Sequence, residues 1–153
     1  MTATTLQRKG NATPINSCYR AMLTNEMHEN QIAKGIVDAA FSVHRWFGPG
    51  LLESAYEACL AHELADMGFK VEQQVPLPLE YRNVRLDVGY RLDLWVDRKV
   101  IVEVKAVDKL HPIHLAQTLT YLKLTGNHLG LIINFHGALL KDGIRRVAND
   151  LKD

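Results

Sequence analysis

Cysteine is nearly missing. Only Cys18 and Cys59 occur in 153 residues, and neither sits in a paired metal-ligand spacing. This excludes a disulfide scaffold or a cysteine-based zinc module and fits a reducing cytoplasm. No run approaches the ~18 apolar residues that a membrane span needs, and the first 25 residues lack the apolar core of a secretory signal. The expectation is a soluble, cytoplasmic protein with no membrane partner. Charge of one sign is also missing. At a formal net charge of +1, no global basic field announces a polyanionic partner, and any phosphate-binding surface must be a local patch. Neither a phosphate-cradling glycine loop of the nucleotide-hydrolase type nor a convincing Ser or Cys nucleophile motif is present. There is no internal repeat and no low-complexity segment.

What remains is an ordinary globular composition, 47% hydrophobic and 23% charged, long enough for one domain with a real core. Residues 1–25, rich in Thr, Asn and Ser, read as a flexible leader ahead of a single domain over 26–153. A start at Met22 or Met27 is the alternative. Helical spacing of Ile32, Ile36, Val37, Ala40, Val43 and Phe47 predicts a helix from Glu29 to Phe47. Gly48-Pro49-Gly50 breaks it, and a second helix follows from Leu51 to Met67. Alternation predicts strands over Val71–Tyr81, Val84–Val96 and Val100–Val107. Pro76 and Pro78 confine the first of these to an edge or a bulge. His111-Pro112 opens a helix to Thr125, Leu129–Phe135 reads as a buried strand, and Ile144, Val147 and Leu151 predict a short C-terminal helix from Asp142 to Leu151.

Three charged residues interrupt the strands. Glu103 and Lys105 are two apart and share a face, while Val102 and Val104 turn to the core. If Asp97-Arg98-Lys99 is a three-residue loop, Val96 pairs with Val100, and Asp93 falls opposite Glu103 on that face. Facing carboxylates repel and must be compensated, either by Lys105 or by a divalent cation. The alternative is an ordinary salt bridge on a solvated hairpin face. Mg2+ prefers such oxygen ligands, and a lysine beside it would position water or stabilise charge on a phosphoryl group. On the second helix, Glu53 and Tyr56 share a surface with Glu57; on the helix after the third strand, His114, Gln117 and Tyr121 form a line at spacings of three and four. A zinc site built from His111, His114, His128 or His136 is disfavoured, because Pro112 splays the first pair and no cysteine is nearby.

The order Glu53 on a helix, Asp93 on a strand, Glu103-Val104-Lys105 on the next and Gln117-x-x-x-Tyr121 on the following helix resembles the PD-(D/E)XK nuclease superfamily. Gly50-x-x-Glu53-x-x-Tyr56 is similar to its GxxExxY branch, and the resemblance extends over about residues 29 to 150. It implies an α/β, restriction-endonuclease-like core: three antiparallel strands plus one further strand in a mixed sheet flanked by helices. It further implies Mg2+, with Mn2+ as a substitute, on Asp93, Glu103, the Val104 carbonyl and Glu53. Lys105 would orient water, and Gln117 would position the lysine or substrate phosphate. Tyr121 would contact the DNA backbone. Leu92 stands where the family motif has proline before the acid. The implied partner is nucleic acid, with DNA the expected substrate, and a homodimer stays open because related folds often pair. Arg82, Arg85, Arg91, Lys109 and Lys123 are candidates for the substrate-facing surface. The rival class is a non-catalytic nucleic-acid or protein interaction module that retains the nuclease fold.

Overall fold

A computed structural model describes residues 27–153; the expected leader over 1–25 lies outside the described residues. Helix α1 (Glu29–Phe47) begins with a reciprocal cap, in which His28 Nδ1 accepts from the Asn30 N–H and Gln31 Oε1 accepts from the His28 N–H. It stops at Gly48, whose φ of 67° a helix does not tolerate. Helix α2 (Glu53–Asp66) follows. Strands β1 (Val71–Tyr81), β2 (Val84–Val96) and β3 (Val100–Lys105) form a meander. Helix α3 (Pro112–Thr125) then crosses to β4 (Leu129–Asn134), and a 3-10 turn (Leu140–Gly143) leads into β5 (Ile144–Ala148). The five-stranded sheet has order β1-β2-β3-β4-β5. Only β3 and β4 run parallel, as the intervening helix requires.

Helices α1 and α2 cover one face through Ile32, Ile36, Tyr56, Leu60 and Leu64, packed on Val100, Val102, Val104, Leu131 and Ile133. Helix α3 covers the other with Tyr121 and Leu122 against Leu92, Ile101 and Ile132. Both faces of β4 are therefore buried. Gly130 lets α3 approach closely, since a Cβ there would stand 2.8 Å from Thr118 Cγ2. The α/β class and the mixed sheet flanked by helices agree with expectation.

Several boundaries differ: α2 starts at Glu53 rather than Leu51 and ends at Asp66 rather than Met67, β4 ends at Asn134 rather than Phe135, and two further differences have a physical cause. The C-terminal helix expected over Asp142–Leu151 is instead the 3-10 turn and β5. Ile144 and Val147, three apart, pack into the cores on opposite faces of the sheet, which a strand achieves and a one-sided helix does not. The pairs Ile133↔Ile144 and Gly130↔Val147 satisfy the free edge of buried β4. Strand β3 ends at Lys105 rather than Val107, because the Val107 N–H and carbonyl are taken by the Asn134 side chain.

Candidate active site

The β2–β3 loop has the expected register. Asp97 and Arg98 adopt positive φ (50° and 53°), the Lys99 N–H donates to the Val96 carbonyl, and Val96 pairs with Val100. The ladder ends at Leu94↔Val102, one step before the two acids. There side chains replace backbone pairing: the Asp93 N–H donates to Glu103 Oε1 (3.3 Å), and the Val104 N–H donates to Asp93 Oδ2 (2.9 Å). Leu92 and Leu94 are two apart yet belong to cores on opposite faces, so β2 rolls over at Asp93. On β1, Gln74 lies between the pairs Gln73↔Leu94 and Val75↔Leu92 and takes a φ of 49°. The sheet is distorted on both sides of Asp93, where a non-glycine residue in that conformation stores strain.

The electrostatics decide between a salt bridge and a site short of positive charge. Glu103 is 5% exposed. Burial foremost, and the neighbouring Asp93 carboxylate next, push its pKa up to about 8. Lys105, half-buried at the end of β3, pulls the other way but with less effect. The lysine alone therefore does not compensate the pair. Among the described residues no three His, Cys, Asp or Glu side chains converge to hold a metal, so Glu53 does not join Asp93 and Glu103 as a third carboxylate at one point. Two carboxylates completed by a backbone carbonyl and water are the donor set that suits Mg2+, and Asp93 and Glu103 fit it.

A depression of about 490 Å³ opens beside the pair, lined by Leu52, Glu53, Ser54, Glu57, Gln74, Asp93 and Val104. Glu53, at the start of α2, reaches across to accept the Ala106 N–H (3.1 Å) and ties α2 to the end of β3. The spacing of the Gly50-to-Tyr56 motif follows from this. Gly50 has a φ of 117°. The Tyr56 hydroxyl donates to the Gly48 carbonyl (2.5 Å) and accepts from the Leu51 N–H (3.2 Å). Its ring stacks on Phe135 at 4.4 Å. The tyrosine holds the turn that aims Glu53.

On the opposite face, burial foremost and the nearby Glu103 charge next raise the Tyr121 pKa to about 12, with neighbouring Gln117 acting in the opposite sense. Tyr121 is 4% exposed, so it lines the protein side of Glu103. Helix α3 runs back along the sheet, which sets Lys123 in its last turn, at the end away from Lys105. Lys109 lies in a separate cleft with His111 and Arg145, and Arg91 is exposed on β2. The structure thus gathers Glu53, Asp93, Glu103, Val104 and Lys105 and leaves the basic candidates dispersed.

Three further residues belong to the site. Glu57, buried one turn after Glu53, accepts from Gln74 Nε2 (2.7 Å), and burial raises its pKa. Gln74 Nε2 also reaches Asp93 Oδ1 (3.3 Å). The spacing of four from Glu53 signalled Glu57; nothing in the local pattern marked Gln74. His114 accepts the His111 N–H at Nδ1 (3.1 Å), which leaves its proton on Nε2. Burial and then Lys105 lower its pKa, with Glu53 acting in the opposite sense.

Comparison with known proteins agrees with this geometry. A family model described as the PD-(D/E)XK nuclease superfamily matches residues 30–147. No curated protein and no solved structure matches the chain. The match runs from the first turn of α1 into β5 and takes in the distorted carboxylate pair and the lysine that follows it, so the chain belongs to the PD-(D/E)XK nuclease superfamily.

Proposed function

We propose that the protein is a Mg2+-dependent phosphodiesterase acting on DNA, within the GxxExxY branch. One observation carries the reading: two carboxylates are held together where the β2–β3 ladder parts, and the adjacent lysine does not neutralise them. Asp93 and Glu103 would hold the cation, with the Val104 carbonyl and a water bridging to Glu53. When bound, Mg2+ supplies Lewis-acid polarisation of the phosphate and a more acidic water. Lys105 holds a water or a phosphate oxygen at its ammonium, and its exclusion from the ion pairs among the described residues leaves it able to do so. His114 presents an Nε2–H donor on the same side. Gln117 acts through Tyr121, fixing the wall behind Glu103. Gln74 restrains Asp93 and Glu57, so both acids keep one orientation.

The test is cleavage of supercoiled, linear, single-stranded and branched DNA with Mg2+ or Mn2+. Cleavage is expected for at least one of these, with loss in both Asp93→Ala and Lys105→Ala. Intact DNA under all conditions refutes the enzymatic reading, and activity that persists in both variants identifies a contaminant. Calorimetry separates the rival interaction module, for which no Mg2+ binding would depend on Asp93 and Glu103.

A further inference from the structure

We infer that the distal half of the β1–β2 ribbon is a dimerisation surface, occupied by the same ribbon of a second copy of this chain. The cross-strand pairs Leu77↔Tyr90, Leu79↔Leu86 and Tyr81↔Val84 set six apolar side chains on one face. The pairs Pro76↔Arg91 and Glu80↔Arg85 occupy the other face. This is the alternation of a sheet that buries one side, but among the described residues four of the six are left uncovered, Tyr81 58%, Val84 55%, Leu86 39% and Tyr90 37% exposed, while Leu77 packs against the core under α3 and Leu79 is half-buried. Val88, in the irregular stretch opposite Pro78, is exposed as well. The face continues the core under α3, because the Tyr90 ring meets Tyr121 edge-on at 5.9 Å. No element among the described residues extends to cover it.

Three observations select the occupant. First, strand addition at the β1 edge is obstructed by Pro76 and Pro78, which lack the N–H that a ladder needs, so a partner must come to the face. Second, Arg85 and Arg91 pair on the opposite face, and Arg82 sits at the turn over the Tyr81 ring (5.3 Å). A face whose cation sits only at its tip, against the Tyr81 ring, is poorly suited to a run of phosphates, whereas a largely apolar face is complementary to itself, as a two-fold contact requires. Third, aromatic side chains bury roughly 150–250 Å² each and Val or Leu somewhat less, so the exposed parts of Tyr81, Val84, Leu86, Val88 and Tyr90 correspond to about 400 Å² per copy. Two copies with the flanking leucines approach the ~1,000 Å² total of a specific interface. A patch of this size is comparable to the largest apolar patch on an ordinary monomer, roughly 300–600 Å², which is often a functional surface.

Sedimentation velocity on the full chain, from about 1 to about 100 µM, tests this over the range in which an interface of that size associates. The wild type is expected to shift from monomer to dimer. Leu86→Glu and Tyr81→Glu are each expected to weaken the dimer by about 100-fold or more, since each copy would bury an unpaired carboxylate. Glu80→Gln, on the charged face, is expected to leave it unchanged. Far-UV circular dichroism reports whether each variant keeps its fold, and Val84→Lys at the ribbon tip gives a second reading where Leu86→Glu does not. A wild type that stays monomeric overturns the inference, as does a dimer that survives all the apolar-face variants. A monomer in which those variants lower the melting temperature also overturns it, by showing the face covered by the chain's own residues.

Discussion

Replacing Glu103 by Gln probes the carboxylate pair without altering its shape. In the wild type the Glu103 carboxyl keeps its proton up to about pH 8, whereas its ordinary value is 4.5. Below pH 4.5 the group is neutral in both folded and unfolded chains. Between 4.5 and 8 the unfolded chain gives up the proton and the folded chain retains it, so the native state binds more protons and stability falls as pH rises. Each pH unit in that interval costs about 1.4 kcal/mol, for at most about 5 kcal/mol in all, a large share of the roughly 5–15 kcal/mol typical of a domain. Gln carries no charge, and its amide oxygen can still accept the Asp93 N–H. Urea unfolding in a chelator is the assay, with both proteins followed from pH 5 to 8.5. The variant is expected to match the wild type near pH 5 and to exceed it by several kcal/mol near pH 8, with an unchanged denaturant slope. Mg2+ should restore the wild type at high pH, because a cation replaces the proton and binds only the folded state, and should do nothing for the variant. Parallel pH profiles for the two proteins would refute the reasoning, since Glu103 would then be neither protonated by its surroundings nor in need of a cation.

Tyr56→Phe keeps the stack on Phe135 but removes the hydroxyl that joins Gly48 to Leu51; a loss of about 1–2 kcal/mol is expected in urea unfolding, with weaker Mg2+ binding because Glu53 loses its turn. Gly130→Ala places a Cβ 2.8 Å from Thr118 Cγ2 and should cost about 1–3 kcal/mol, of which Thr118→Ser in the same chain recovers a measurable part. Gln74→Gly relieves the φ of 49° but deletes the hydrogen bonds to Glu57 and Asp93; stability should change by less than about 1 kcal/mol, while DNA cleavage falls, so unfolding and cleavage read in parallel separate strain from positioning.

Much of the site was legible because it rests on local rules. Strand alternation placed Glu103 and Lys105 together, and a three-residue loop carried Asp93 to their side. The reason Asp93 meets Glu103 is different from the one the alternation offers: β2 rolls over at this residue, and side-chain acceptors take the place of ladder partners. Gln74 is not legible in the sequence because a glutamine in a strand ordinarily faces water, and only the neighbouring strand and helix reveal that its side chain reaches two carboxylates. His114 was visible as one of a line of polar residues on α3; its closeness to Lys105 depends on how that helix returns over the sheet.

By itself the sequence determined the elements whose periodicity is long, the turns at Gly48-Pro49-Gly50 and Asp97-Arg98-Lys99, and the chain order of the acids, since these follow from side-chain spacing and backbone freedom within a few residues. Tertiary structure alone decided that residues 144–148 are a strand. Apolar side chains three apart, as Ile144 and Val147 are, satisfy a helix in isolation, and they equally satisfy a strand that packs one side chain on each face. The unpaired edge of β4 chose the strand, because its buried N–H and C=O groups have no water to turn to.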